Sequence, residues 1–458
     1  MREELINNED TITALATPPG TSAIAVIRVS GKECIPICST IFKGKDLASA
    51  LSHTLHFGVI KDGERIIDEV VVAVYKTPNS FTKEDSIEIS CHGSDYIVKQ
   101  IMQLLIKNGS RYAKPGEFTK RAFLNGRFDL AQAEAVADLI ASENEAAHKA
   151  ALNQLRGGFS DEIKKLREQL THFASMVELE LDFSEEDVQF ANRDDLTELV
   201  NKIRRTIDVL IDSFALGNAI KNGIPTVIAG KPNAGKSTLL NLLLNEEKAI
   251  VSDIPGTTRD FIEDEITIEG VSFRFIDTAG LRETKDKLEA MGIERTRKKI
   301  GQASLVMYLF DVNSTTEEEL RNNLRELKEL NSSYLVVGNK IDLDKKDTDK
   351  FRNYDGILFI SAANKIGIEE LKKKILEQVN LSTFKTGNAI VTNMRHYESL
   401  LKTRDALGNI TTGIKNNIPG DLLAQDIRLS LLHLGEITGE ITTEDLLGNI
   451  FSKFCIGK

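Results

Sequence analysis

The segment Gly230-Lys231-Pro232-Asn233-Ala234-Gly235-Lys236-Ser237 follows the apolar run TVIA and opens the helical run STLLNLLL. It matches the phosphate-loop pattern G-x4-G-K-[ST], which requires a buried strand before the loop and a helix after it. The glycines let backbone N–H groups turn inward around the β- and γ-phosphates of a nucleotide, and the helix N-terminus adds positive potential. Lys236 neutralises phosphate charge and Ser237 offers a hydroxyl to Mg²⁺. Asn233, Ala234, Gly235 and Thr238 complete the candidate contacts.

Around this loop, short apolar runs (PTVIAG, FRFIDTAG, SLVMYLFDV, YLVVGNK and GILFISA) alternate with helical segments, which predicts a parallel α/β sheet. Asp277-Thr278-Ala279-Gly280 closes the run FRFI; an Asp at a strand's carboxyl end holds the metal through water, and the Gly280 N–H senses a γ-phosphate. Asn339-Lys340-Ile341-Asp342 follows the next strand but one. A carboxylate there accepts two hydrogen bonds from guanine's N1–H and exocyclic amine, which adenine does not offer. Ser361-Ala362-Ala363 ends the last strand, where a backbone N–H reaches the guanine carbonyl. Each motif is weak alone, but in this order and on these strand ends they predict a GTPase rather than an ATPase.

Between the first two motifs lies Ser252-Asp253-Ile254-Pro255-Gly256-Thr257-Thr258-Arg259-Asp260, followed by two strands separated at Glu269-Gly270. It is a switch loop by position, with Thr258 the candidate second Mg²⁺ hydroxyl. Leu281 occupies the place of the water-orienting Gln of Ras-type GTPases. Either hydrolysis is negligible, or charge stabilisation and water positioning come from other residues, a bound cation or a partner. Asn233, with the oxygen-rich 252–257 loop opposite, is a compositional candidate for a monovalent-cation ligand. The segment RETKDKLEAMGIERTRKK offers several carboxylates, and pattern does not choose among them.

The chain has 458 residues, enough for about three domains. Thr11 to about Lys107 reads as a compact α+β unit: strands TITALAT, AIAVIRVSG, HTLHFGVI and EVVVAVYK with one or two helices and a turn at Asp62-Gly63. Past Pro115-Gly116 the apolar spacing becomes helical through Phe214, and it returns to helical after about Val379, with candidate helices Met394–Leu407, Asp421–Leu434 and Thr443–Phe454. Helix, α/β, helix in one chain predicts a nucleotide domain inserted into a helical one. Lys plus Arg number 58 against Asp plus Glu 69, a net charge of -11 that disfavours general nucleic-acid coating but permits a local basic patch. Four cysteines are too few for a disulfide framework, the start lacks a signal pattern, and the longest apolar runs, such as Leu305–Phe310, are too short to span a membrane, which together predict a cytosolic protein without membrane partners. Cys34-x3-Cys38 with His53-x2-His56 mimics zinc spacing, but the cysteines sit one helical turn apart and the histidines alternate in a strand pattern, so core and surface roles are expected. Ser314 to Glu317 reads as a capping box, and Arg295–Lys299 as a solvated helix face. A ribosome-assembly switch GTPase of the kind that carries a KH-type RNA domain would need Gly-x-x-Gly, which is absent from the sequence.

GKPNAGKSTLLN, SDIPGTTRD, DTAGLRET and NKID, inserted in a helical region of a chain ending Cys455-Ile456-Gly457-Lys458, resemble the MnmE (TrmE) family of tRNA wobble-uridine-modifying GTPases. ATPPG, IRVSG, SFTKEDSIEISCHG and PGEFTKRAFLNGRFDLAQAEAV extend the resemblance over the whole length. It implies an α+β multidomain fold: an N-terminal folate-binding and dimerisation domain (1–118), a helical domain in two parts (119–217 and 381–458) and an inserted Ras-like GTPase domain (218–380). Carried over by motif, it puts K⁺ on Asn233, Ser252, the Ile254 main chain and Thr257, Mg²⁺ on Ser237 and Thr258, and a catalytic glutamate on Glu289, with K⁺ in the role of an arginine finger. Folate contacts fall on Arg28, Glu88, Arg127 and Lys458, and a cysteine required for modification on Cys455. Ser252 and Arg127 stand where some relatives have Thr and Lys. The implied reaction is addition of an aminomethyl or carboxymethylaminomethyl group to the wobble uridine of tRNA, with a formyl- or methylene-tetrahydrofolate carbon. The resemblance also implies a homodimer that joins an FAD- and NADH-using MnmG-type protein in a heterotetramer.

Overall fold

A computed structural model describes residues 10–182, 193–247, 264–276, 303–330, 333–343, 348–351, 354, 356–378, 389–416 and 418–457. These fall into two compact units. The first takes the residues up to Ala141, Ala151–Asp208 and those from Glu398 on; the second takes Ser142–Ala150 and Val209–Tyr397.

In the first unit, strands β1 (Ile12–Leu15), β2 (Ser22–Ser30), β3 (Phe42–Lys43), β4 (Thr54–Asp62), β5 (Arg65–Tyr75), β6 (Ser86–Gly93) and β7 (Arg111–Tyr112) form a sheet ordered β3-β4-β5-β6-β2-β1-β7. All its pairings are antiparallel except β1 with β7. Period-two patterning sets the two faces. Ile27, Val29, Val70, Val72, Val74, Ile87 and Ile89 turn to one side, where helices α1 (Cys34–Ile41) and α2 (Asp95–Lys107) cover them with Cys34, Cys38, Ile101 and Leu105. The other side carries Arg28 directly opposite Glu88, then Ala73 and Leu55 in the same cross-strand row. The run SIEISCHG, read only as a motif block, is the strand β6 at the middle of this sheet.

Helices α3 (Glu117–Leu124), α4 (Leu130–Ile140), α5 (Glu145–Leu155), α6 (Gly158–Asp182) and α7 (Arg193–Asn222) follow. At the head of α4, Asp129 Oδ1 accepts from Gln132 N and Gln132 Oε1 accepts from Asp129 N, a reciprocal cap. Arg121 on α3 is fully buried and meets three carboxylates, Asp10 at 2.7 Å, Glu84 at 3.2 Å and Glu117 at 3.2 Å. Such a cation is tolerable only because the ion pairs and hydrogen bonds replace its water.

The second unit holds β8 (Ile224–Ala229), α8 (Lys236–Glu247), β9 (Asp264–Ile268), β10 (Val271–Phe275), β11 (Leu305–Asp311), α9 (Glu317–Glu329), β12 (Tyr334–Asn339), β13 (Ile357–Ile360) and α10 (Ile368–Gln378). Its sheet runs β13-β12-β11-β8-β10-β9, parallel throughout except for the β9–β10 hairpin. Leu305, Val306, Met307, Leu309 and Phe310 are all buried, the continuous apolar signature of a strand covered on both faces. Helices α11 (Met394–Lys415), α12 (Gly420–Thr438) and α13 (Glu444–Phe451) complete the chain.

Three local expectations are corrected. The cap of α9 is Thr316, whose hydroxyl accepts from Glu319 N at 3.3 Å, and not Ser314. The N–H groups of Ser314 and Thr315 both donate to Asp311 O, so those residues close a turn on β11 before the helix starts. Helix α11 continues two turns past Leu407: burial of Leu407 and Ile410 overrides the low helix propensity of GNITTG. His53 precedes β4 in a left-handed conformation (φ 64°) and stacks edge-on against Tyr75, so it does not alternate with His56 along a strand. Cys34 and Cys38 lie in the core, and burial drives both thiols far above the usual cysteine range.

Candidate functional site

The second unit gathers the motifs at the carboxyl ends of its parallel strands, where open α/β sheets bind ligands. The phosphate loop joins β8 to α8, and its backbone is sterically determined. Gly230 has φ +143°, and a Cβ there would stand 2.0 Å from Leu309 O on β11. Gly235 has φ +98°, and a Cβ would meet Asn339 Nδ2 at 2.3 Å. Asn233 adopts φ 65°, a left-handed conformation that asparagine tolerates better than most residues, and its side chain is exposed. Lys236 Nζ donates to Gly230 O at 2.7 Å and Lys231 O at 2.8 Å, which keeps the ammonium over the loop. Burial pushes its pKa below the ordinary lysine value, so an incoming phosphate anion favours the charged form. Ser237 and Thr238 occupy the first turn of α8, where the helix dipole favours anions.

Asn339, at the end of β12, binds two loops at once. Its Nδ2 donates to Ala234 O in the phosphate loop at 2.9 Å, and its Oδ1 accepts from Ala362 N at 3.0 Å. Ser361 Oγ donates to Asp342 Oδ1 at 2.6 Å and accepts from Asn364 N at 3.1 Å. Asn339, Lys340, Asp342, Ser361 and Ala362 are thus one connected group, with Ala363 next in the loop, as the sequence motifs required. Two residues that the motifs did not flag, Asp311 and Asn313, belong with them: Asp311 Oδ2 accepts from Lys340 Nζ at 2.8 Å and Asn313 Nδ2 donates to Lys340 O at 3.1 Å. Ser252, Asp253, Ile254, Pro255, Gly256, Thr257, Thr258, Asp277, Thr278, Ala279, Gly280, Glu289 and Lys458 lie outside the described residues, as does Arg295–Lys299.

The first unit has a separate cavity of about 530 Å³ on the sheet face opposite α1 and α2, lined by Arg28, Tyr75, Phe81, Lys83, Glu88 and Arg127 among others. Arg28 donates through Nε and Nη2 to Glu88 Oε1 at 3.0 and 2.8 Å, and through Nη1 to Gly457 O at 3.2 Å. Its guanidinium stands 5.3 Å from the Phe81 ring centroid, and that of Arg127 stands 5.1 Å from the same ring. Arg127 Nη1 donates to Ser80 O. Burial, and then the nearby Arg28 charge, lowers the pKa of Arg127, the mark of a cationic site that an anion would stabilise. Arg28, Glu88 and Arg127 therefore line one site, 60 residues apart for the first pair, and Gly457 brings the C-terminal segment to it. Gly457 has φ +96° and a Cβ would stand 2.4 Å from Leu15 O, so the segment passes tightly against the end of β1. Cys455 is exposed, while its carbonyl accepts from Gly116 N. Phe81 went unnoticed by sequence reasoning although it lies in the SFTKEDSIE block; a lone aromatic among polar residues was the available signal.

Residues 11–127 match the family described as "GTP-binding protein TrmE N-terminus", and residues 130–455 match "MnmE helical domain". The chain is 66% identical over 454 residues to the tRNA modification GTPase MnmE of Cytophaga hutchinsonii, covering 99% of this chain and 98% of that one. It is 55% identical to the protein of the same name from Flavobacterium johnsoniae, covering 98% and 100%. Among solved structures, the FeoB G-domain from Methanococcus jannaschii is 29% identical over 34% of this chain and 97% of that chain, with a TM-score of 0.27.

Proposed function

The chain belongs to the MnmE family of tRNA modification GTPases, and from that premise we propose that it is a potassium-activated, homodimeric enzyme whose GTP hydrolysis serves wobble-uridine modification together with an FAD-dependent MnmG-type partner. The group added to C5 is aminomethyl or carboxymethylaminomethyl, its carbon drawn from a tetrahydrofolate unit. The proposed domains are 1–118 for folate binding and dimerisation, 119–217 and 381–458 for the split helical domain, and 218–380 for the GTPase. Cytosolic location is part of the same proposal; among the described residues no helix is long and apolar enough to cross a membrane.

The observation that carries this reading is the convergence of Arg28, Glu88 and Arg127 on one cavity against the C-terminal segment. Two guanidiniums and a carboxylate beside an aromatic ring suit a pterin with an anionic glutamate tail: the carboxylate accepts from the pterin's N–H groups and the cations bind the tail. Tetrahydrofolate, when bound, supplies the one-carbon unit. Lys458 and Cys455 follow and precede Gly457, so the C-terminus is proposed to finish this site.

In the GTPase site, Lys236 and the loop N–H groups take the phosphates, Ser237 and Thr258 take Mg²⁺, Asp277 holds the metal through water and the Gly280 N–H senses the γ-phosphate. Asp342 reads guanine. Potassium, when bound, supplies positive charge beside the phosphates where a Ras-type enzyme uses arginine. Its proposed ligands are Asn233, whose neutral amide suits a monovalent cation, with Ser252, Ile254 and Thr257. Glu289 is proposed to orient the attacking water. The homodimer reading is supported by Leu55, Phe57 and Val71, large apolar side chains on one sheet face that are 71%, 69% and 37% exposed.

Nucleoside analysis of tRNA from a strain lacking this protein tests the whole reading: the wobble modification should disappear, and an unchanged profile refutes it. GTPase rates that are equal in K⁺ and Na⁺ would remove the cation. For the folate site, Arg28→Ala should weaken formyl-tetrahydrofolate binding by calorimetry about tenfold or more, the loss of a charge-assisted pair.

A further inference from the structure

Asp342 depends on how the three residues before it are held, and the turn that follows β11 holds the middle one from both ends. Lys340 has φ +69°, an uncommon conformation for a long side chain that needs outside support. Its carbonyl accepts from Asn313 Nδ2 at 3.1 Å, and its ammonium donates to Asp311 Oδ2 at 2.8 Å. The two supports are themselves joined: Asp311 Oδ1 accepts from Asn313 N at 3.0 Å and from Asn313 Nδ2 at 3.2 Å. Both groups facing Nδ2 are acceptors only, so the amide has a single sensible orientation. Val312 N donates to Asn339 O at 3.1 Å, which ties the same turn to the residue before Lys340.

We propose that Asp311 and Asn313 are positioning residues for nucleotide binding, which act through Lys340 to fix the base-recognition loop against guanine. The inference rests on the reading of Asp342 as the guanine carboxylate. Fixed at its carbonyl by Asn313 and at its ammonium by Asp311, the Lys340 side chain has both ends ordered before a ligand arrives, which lowers the cost of binding. Burial raises the Asp311 pKa, but the Lys340 ammonium and the Asn313 donors outweigh it and leave the carboxyl below its ordinary value, so Asp311 is ionised at neutral pH.

A double-mutant cycle on the full-length protein tests this with the fluorescent probe mant-GDP. Asp311→Asn keeps the shape and removes the charge. It should raise the Kd for mant-GDP about tenfold, with kcat at saturating GTP changed less than about twofold and the preference for GTP over XTP intact. Adding Asp311→Asn to Lys340→Met should cost little further, because the substituted amide keeps an oxygen for the Asn313 donors and loses only the contact to the ammonium. Additive losses, or an unchanged Kd in the single variant, overturn the proposal. Asn313→Ala, which removes the donor to the Lys340 carbonyl, should also raise the Kd for mant-GDP if the first variant folds poorly, and an unchanged Kd there overturns the proposal. Asp342→Asn separates the premise: a shift from GTP toward XTP supports the base-site reading, and no shift overturns that reading and this inference with it.

Discussion

At the scale of single residues, two positions allow sharp tests. Gly230 is where β8 passes within reach of Leu309 O, and its φ of +143° is open to glycine alone. Gly230→Ala should cost at least about 2 kcal/mol of stability in the nucleotide unit and abolish mant-GDP binding; a urea midpoint unchanged from the parent would show that the loop relaxes. The cysteines divide equally clearly. Cys34, Cys38 and Cys91 are buried, with the Cys91 thiol pushed up to about 11, whereas Cys455 is exposed. A thiol reagent at neutral pH should label one cysteine per native chain quickly and four after unfolding; fast labelling of a second would contradict the packing of α1 or β6. Much at this scale was readable in the motifs, since Asn339 and Asp342 stand in N-K-x-D. That Asn339 fastens Ala234 to Ala362 was not readable, because those partners are 105 and 23 residues away in sequence.

At the scale of elements, the first unit depends on an ionic cluster that only packing assembles. Glu117 opens α3 with its carboxylate against Arg111 and the Lys114 N–H. Burial raises its pKa, yet these donors outweigh burial and hold the carboxyl below the ordinary glutamate value; Asp10 is likewise held low by Arg111 and Arg121 against its own desolvation. A depressed carboxylate pKa contributes stability that is present above the unfolded value and lost as pH falls through the folded one. The urea midpoint of this unit should therefore decline as pH drops from about 5 toward 3. Arg121→Met should destabilise by about 1–3 kcal/mol at neutral pH, since it takes the buried cation from Glu84 and one partner from Glu117 and Asp10, which keep Arg111. Acid should then narrow the gap between variant and parent, and a constant gap would mean that the cluster is not what the arginine supports. Strands and helices were mostly legible from periodicity. The errors came where tertiary contact outweighed local preference: Thr316 caps α9 because Asp311 takes the N–H groups of Ser314 and Thr315, and α11 runs on through two glycines because Leu407 and Ile410 are buried.

At the scale of the whole molecule, each unit carries its own candidate ligand site, so ligands should stabilise them separately. GDP at 100 times its Kd should raise the stability of the nucleotide unit by about 2.7 kcal/mol, while formyl-tetrahydrofolate should protect the unit with the Arg28 cavity. Hydrogen exchange resolved by segment distinguishes the two, and protection by GDP confined to β2 and β6 would contradict the assignment. For the proposed homodimer, Phe57→Glu, in the middle of the exposed apolar row, should give a monomer in light scattering without loss of GTP binding; an unchanged mass would count against this face as the contact. The net charge of -11 adds a constraint: tRNA must be held by a limited basic patch or by the proposed partner, so affinity for bulk tRNA should be modest.

Local spacing determined a great deal by itself. A phosphate loop needs a strand before it and a helix after it within a dozen residues, and apolar runs bounded by turns fix a parallel sheet, so the GTPase core, its order of motifs and the insertion into a helical region could be read along the chain. Tertiary structure alone decided which distant residues share a site. Arg28 and Glu88 meet because β2 and β6 are adjacent in a register that pairs them, and the C-terminal segment reaches Arg28 through a glycine that fits against Leu15. The hold of Asp311 and Asn313 on Lys340 arises where two parallel strands end side by side. Periodicity reports which face a residue occupies; only closure of the sheet reports what stands opposite it.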